Sequence, residues 1–320
     1  MSADLRCFGR RGALFTRLDQ PDMTTAQPAS MTVTAADGVA HTALVFAAAE
    51  PTRHVALILP AMGVPASYYE PFGQALAAKG LSAVAMELRG TGSSTVQASR
   101  TVDFGYDQIV RRDIVAAVAA IRQQLGEVVV HAVGHSLGGQ LAALALARDP
   151  QLFASLILAA SGSVDYRGFG FPKRYGVLAQ TQLAAAVAHT LGYFPGHRLG
   201  FGGRQPRQLI SDWARQIRSG VYAPTGDDYN YEAALRRVAC PVLGLSLQGD
   251  TLTTAKSTDL LCAKLAGCRH DRRHLRLALS AQDGAQVHFR WARQPDEMAG
   301  LIGRWVTENF DGEVVSSERS

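Results

Sequence analysis

No apolar run in this chain approaches the length of a membrane-spanning helix, so no segment reads as a membrane anchor. Cysteine is scarce. Cys7, Cys240, Cys262 and Cys268 form no CxxC pair and share no metal-like spacing with histidine, which excludes a zinc module and a disulfide scaffold. Reduced thiols and a cytoplasmic location are therefore expected. The one bridge that spacing leaves open joins Cys262 to Cys268 across a predicted helix end. Charge is sparse too, at 18% of residues with a formal net of +5. Its basic side chains fall in scattered pairs such as Arg111-Arg112, Arg236-Arg237 and Arg272-Arg273. No basic stripe interleaved with aromatics appears, which argues against a nucleic-acid partner. The first thirty residues carry arginines but no apolar core of a secretory signal, so residues 1–30 read as a disordered leader. Residues 311–320 read as a loose tail.

What the chain does have is 47% apolar residues over 320 positions, enough for one large domain with an insertion. The segment "MTVTAADGVAHTALVFAA" sets Asp37-Gly38 between strand formers, a hairpin signal. Three stretches, "HVALILP", "LSAVAMEL" and "EVVVHAV", read as buried strands. Between them lie helical patterns from Tyr69 to Lys79 and over "YDQIVRRDIVAAVAAIRQQL", the second stopped by Gly126. Further strand patterns follow in "LFASLILAAS", "CPVLGLSL" and "HLRLALS", and the last helical pattern is "DEMAGLIGRWVTENF". Such alternation implies an α/β fold: a mostly parallel, doubly wound sheet of about eight strands, covered on both faces. Residues 162–234 break the alternation with Gly, Arg and aromatics and read as an inserted helical lid. Residues 31–161 and 235–310 then form the core.

Within "VVVHAVGHSLGGQLAALALA", Gly134-His135-Ser136-Leu137-Gly138 satisfies G-x-S-x-G between a strand pattern and a helix pattern. Small residues suit both ends of such a turn because strand and helix backbones approach closely there. A glycine-rich packing turn is the bland alternative. A serine nucleophile needs a base, and the base needs an orienting carboxylate. Asp250 follows the strand "CPVLGLSL", and His288 sits in the loop "AQDGAQVHFRW" after the last strand. The order Ser136, Asp250, His288 is the hydrolase order. Asp250 could instead cap the next helix, and Asp283 is the fallback acid. His274 begins the predicted last strand and His270 precedes it, which puts both at the wrong end of the sheet. His135 is expected to hydrogen-bond beneath the turn, and His131 to be a satisfied interior histidine. The amides of Leu137 and Met62 are candidates for an oxyanion hole. No metal and no organic cofactor is required.

These residues together resemble the α/β-hydrolase superfamily over about residues 31–310. Its serine-hydrolase branch of monoacylglycerol lipases and serine aminopeptidases is most similar, on "LPAMGVPASYYEPFGQALAAKGL", "MELRGTGSS", "GHSLGG", "LSLQGDTLT" and "HFRW". "GYFPGHRLGFGGRQPR" and "SDWARQIRSGVY" resemble the cap of some uncharacterised bacterial predicted hydrolases. The resemblance implies Ser136 as nucleophile, Asp250 as acid and His288 as base, with the Met62 and Leu137 amides as the oxyanion hole. Two positions depart from it: Pro60-Ala61 stands where many relatives have His-Gly, and Glu87 where they often have Asp. The implied activity is hydrolysis of a small-molecule carboxylic ester. Acyl transfer with the same triad, amide hydrolysis and a non-catalytic binding role are the competing readings. Phe169, Phe171, Tyr193, Phe194 and Trp213 either line an acyl pocket or hold the lid to the core. Arg198, Arg204 and Arg207 meet either an acidic group or solvent.

Overall fold

The computed structural model describes residues 28–279 and 284–310. The expectations for Cys7, Asp283, residues 1–27 and the tail lie outside these. The strands β1 (Ala29–Thr34) and β2 (Ala40–Phe46) pair antiparallel around the Asp37-Gly38 turn, with Thr34 opposite Ala40. β1 thus takes Ala29 and Ser30 from the segment read as leader. Next come β3 (His54–Leu59), a 3₁₀ turn over Ala66–Tyr69, α1 (Glu70–Ala78) and β4 (Ser82–Ala85). The long helical pattern resolves into α2 (Tyr106–Gln108), a π-helical turn over Ile109–Asp113 and α3 (Ile114–Leu125), closed by Gly126 at φ +81°. β5 (Val129–His135), α4 (Leu137–Arg148) and β6 (Ser155–Ala159) follow.

The chain from β6 to the next sheet strand adds nothing to the main sheet. It forms α5 (Lys173–Leu191), a small antiparallel ribbon of β7 (Tyr193–Pro195) and β8 (Arg204–Pro206) around α6 (Gly196–Leu199), then α7 (Arg207–Ser219) and α8 (Tyr231–Leu235). The sheet resumes with β9 (Pro241–Leu247), α9 (Ala255–Lys264) and β10 (Arg269–Leu275), and α10 (Gly284–Arg290) and α11 (Asp296–Phe310) complete the described chain. The eight strands lie in the order β1-β2-β4-β3-β5-β6-β9-β10. β2 runs antiparallel to β1 and β4; every other neighbour pair is parallel. From β3 the order turns back, with β4 on one side and β5 on the other. Such a reversal opens a crevice at the strands' carboxyl ends, where α/β sheets bind ligands.

A sheet covered on both faces demands apolar residues on both, and β3 is buried along its whole length. Val55, Leu57 and Leu59 join one core with α3 and α4; Ala56 and Ile58 join the other, with Phe72 and Leu76 of α1 and Met298, Ile302 and Trp305 of α11. Helix α4 is buried from Leu137 to Ala147. Two polar clusters in this interior are paired within themselves. Arg89 bridges Asp37 at 2.7 Å and Asp113 at 2.6 Å, tying the hairpin turn to the α3 region. His131 stands 2.8 Å from Ser155 Oγ and 2.9 Å from His54 Nδ1, an interior histidine with both nitrogens satisfied.

One expectation needs correction, and the expectation of reduced thiols holds for the described cysteines. The last strand is Arg269–Leu275, not "HLRLALS". As an edge strand it pairs only with β9, so charged side chains suit it and an apolar run is not required. His274 therefore stands near the strand's end rather than at its start, and His270 lies within the strand. The bridge between Cys262 and Cys268 does not form; Cys240, Cys262 and Cys268 are free thiols. The Cys268 thiol donates to the Val238 carbonyl at 3.3 Å, beside the thiol of Cys240. Among the described residues no helix is long and apolar enough to cross a membrane.

Burial holds His41 down at about 4, helped by the Arg89 charge, and burial holds His131 down at about 3, helped by His54. Both take up protons more readily once unfolded, where the ordinary value is 6.5. Their contribution to stability is complete above that value and is lost as the pH falls toward the folded values. Urea midpoints should drop between about pH 7 and about pH 4.5, and the drop should be smaller in His41→Gln.

Candidate active site

Ser136 sits between β5 and α4 with φ +54° and ψ −116°, a conformation that side-chain-bearing residues rarely adopt. Four contacts hold it there. A Cβ on Gly134 would lie 2.2 Å from Gly139 Cα, and one on Gly138 would lie 2.1 Å from the Leu59 carbonyl oxygen. The glycines of the motif are thus required by backbone meeting backbone. Ser136 N–H donates to the Ala159 carbonyl at 3.3 Å, and Ser161 Oγ donates to the Ser136 carbonyl at 2.6 Å. Within a buried run from Val130 to Ala147, Ser136 alone is partly exposed. Leu137 opens α4, at the helix end where backbone N–H groups face outward.

Asp250 lies in the turn after β9, buried at 7% exposure. Its Oδ1 accepts from the Leu252 and Thr253 amides at 2.8 and 2.9 Å, and its Oδ2 lies 2.8 Å from His288 Nδ1. The capping role belongs instead to Thr254, whose side chain accepts from Ser257 N at the start of α9. His288 is 1% exposed and belongs to helix α10, not to a loop. Gly284 opens that helix against Thr251, where a Cβ would fall 2.6 Å from the threonine methyl. A carboxylate at Nδ1 fixes the N–H there and leaves Nε2 as the basic nitrogen. His270 Nε2 donates to the Leu265 carbonyl at 2.9 Å, and His274 Nδ1 lies 2.9 Å from Ser246 Oγ; neither histidine meets Asp250.

His135 does lie beneath the turn, as its position suggests. Its Nδ1 is 2.7 Å from Tyr69 Oη, its Nε2 is 2.9 Å from the His288 carbonyl oxygen, and its ring is 4.9 Å from the His288 ring. Thus the residue before Ser136 touches the residue that Asp250 holds.

Met62 belongs to a tight turn after β3, closed by Val64 N–H to the Ala61 carbonyl at 3.1 Å. Gly63 has φ +70°, and a Cβ there would lie 2.1 Å from the Gly202 carbonyl oxygen. The loop of the β7–β8 ribbon therefore sits directly on the Met62 turn, and Gln205 donates to that same Gly202 carbonyl at 2.5 Å. Glu87 braces the turn from below. Its Oε2 accepts from Ala66 N at 2.9 Å, and burial raises its pKa.

The sequence left the aromatics of residues 162–234 undecided. Phe169 and Phe194 are buried, whereas Phe171 is 77% exposed. Trp213 packs beside Phe201, 6.2 Å apart, and both, like Met62, pack against the larger core. Arg204 stacks 4.1 Å over Tyr193, Arg207 pairs with Asp103 at 2.9 Å, and Arg198 is exposed. Asp212, which sequence reading missed, joins α7 to the core by accepting from Tyr106 N and from Thr225. An aspartate whose backbone donors lie on other segments gives no sequence signal beyond its type.

The model of the alpha/beta hydrolase fold family matches residues 57–227, which include the Met62 turn and Ser136. The chain belongs to the alpha/beta hydrolase fold family. Solved structures agree on the fold. DcsB in complex with its substrate analogue is 13% identical at a TM-score of 0.60, over 88% of this hydrolase-fold chain and 99% of that one. An esterase domain of a Rhodothermus marinus protein is 13% identical at 0.54, with 88% and 99% covered. A serine hydrolase involved in carbazole degradation is 15% identical at 0.54, again with 88% and 99% covered. No curated protein matches the sequence. At these identities the likeness extends to fold alone.

Gly63→Ala should destabilise this hydrolase fold by about 2 kcal/mol more than Gly38→Ala. Gly38 also has positive φ but meets nothing within 4 Å, so the pair isolates the contact with Gly202. Urea denaturation of both variants measures the difference.

Proposed function

We propose that the protein is a serine-dependent hydrolase of small-molecule carboxylic esters, working through an acyl-enzyme on Ser136. One observation carries the reading: the buried Asp250 carboxylate, fixed by two amides, holds His288 at 2.8 Å, and His288 packs on His135, the residue before the strained Ser136. His288 Nε2 takes the serine proton as Oγ attacks the acyl carbon. The tetrahedral oxyanion is held by the Leu137 and Met62 amides. As the intermediate collapses, the imidazolium protonates the leaving alcohol. Water then repeats the sequence on the acyl-enzyme, releasing the acid and restoring Ser136. Asp250 keeps the proton on Nδ1 and stabilises the imidazolium without itself being protonated. We assign residues 162–234 as the lid of this site, with Phe201 and Trp213 as the apolar wall for the acyl group. Its free thiols support a cytoplasmic setting.

Labelling with a fluorophosphonate tests the nucleophile. Wild type should label, and Ser136→Ala should not; labelling that survives the substitution overturns the assignment. Turnover of p-nitrophenyl esters of graded chain length should fall by about 10⁴-fold in Asp250→Asn, through the wrong imidazole tautomer, with the fold unchanged by circular dichroism. His288→Ala should likewise lose nearly all turnover; substantial residual activity would move the base elsewhere. Added alcohol or amine acceptors should not divert most of the acyl group, an outcome that would mark a transferase instead.

A further inference from the structure

Tyr69 and His135 are both fully buried, and three hydrogen bonds run through them in series. Ala61 N–H donates to Tyr69 Oη at 2.9 Å; Tyr69 Oη meets His135 Nδ1 at 2.7 Å; His135 Nε2 meets the His288 carbonyl oxygen at 2.9 Å. Their directions follow from chemistry. A carbonyl oxygen only accepts, so His135 Nε2 carries the proton. Burial drives this imidazole far below the usual histidine range, so the ring is neutral and Nδ1 is a lone pair. The Tyr69 hydroxyl therefore donates to Nδ1, which leaves its own lone pair for the Ala61 amide. Every group in the series is satisfied, and only one arrangement of protons satisfies it.

The series reaches all three parts of the candidate site. Ala61 immediately precedes Met62, His135 immediately precedes Ser136, and His288 is the residue that Asp250 holds. Edge-on contacts from Trp291 at 5.0 Å and Phe289 at 5.7 Å seal the imidazole from solvent. We propose that Tyr69 and His135 are positioning residues, whose one-way hydrogen-bond series sets the spacing among the oxyanion turn, the nucleophile and the base. This rests on Ser136 and His288 acting as proposed above. Neither residue touches substrate. Their effect is on where the reacting groups stand, and a displacement of about 1 Å there costs on the order of 100-fold in rate.

The test uses the full chain with a p-nitrophenyl ester, well below the unfolding temperature. Tyr69→Phe should lower kcat on the order of 10- to 100-fold. KM should change by less than about twofold, because transition-state geometry is lost and substrate binding is kept. His135→Ala should lose as much, and His135→Gln, whose amide can still donate to the His288 carbonyl, should recover part of it. A Tyr69→Phe enzyme that melts earlier but keeps wild-type kcat overturns the proposal, since core packing alone would do that. Wild type that fails to label at Ser136 overturns the hydrolase reading and this one with it. Wild type that labels while Tyr69→Phe keeps its kcat overturns this one alone. Should Tyr69→Phe not fold, nitrogen NMR of wild type decides: His135 should be in the Nε2-protonated neutral form at pH 6.5, where an ordinary histidine is half charged, and an Nδ1-protonated or charged ring overturns the proposal.

Discussion

Backbone touches backbone at the Ser136 turn, and the rest of the architecture is arranged around that contact. Gly134 meets Gly139 across the turn, while Gly138 meets the carbonyl of Leu59 at the end of β3. A side chain at either glycine would drive α4 off the sheet. With α4 seated, its whole length from Leu137 to Ala147 becomes core, and the parallel strands on either side of β5 acquire a common face to pack on. The unusual φ of Ser136 is sustained by this packing and by bonds to Ala159 and Ser161. Strain at one residue is offset by close contact among its neighbours.

Much of the fold and the candidate site was legible in the residues. Ser136 and Asp250 lie at carboxyl ends of strands marked by short apolar runs, and such runs between helical patterns report a sheet buried on both faces. His288 was found by order along the chain, yet its setting was misread. Asp283-Gly284 carries the signature of a turn, whereas Gly284 starts a helix, packed closely against Thr251. The last strand was displaced for a similar reason. "RHDRRHL" has no apolar alternation, since an edge strand answers to one neighbour and to water, and "LRLALS" offered a pattern without the pairing.

Other features left no trace in the linear pattern. Tyr69 reads as one more apolar residue at the start of a helix, and nothing in its surroundings shows a hydroxyl tied to residues at positions 61 and 135. Asp212 and Glu87 are carboxylates whose work is to accept backbone amides far away in sequence. Such roles depend on which loops meet, and a single sequence does not encode that in any local period. Of the arginines in residues 162–234, by contrast, two are committed within the protein, Arg204 to an aromatic face and Arg207 to Asp103.

The contact between Gly63 and Gly202 bears on how such a protein can be rebuilt. No side chain separates the turn after β3 from the ribbon loop, so their surfaces are complementary down to the peptide groups themselves. The two segments lie far apart in sequence and still behave as one part. The corresponding segment of another member of the family would arrive with a loop shaped for a different turn. Recombination that exchanges residues 162–234 must therefore carry the Pro60–Val64 turn with it, and the natural crossover points of this chain lie outside that pair.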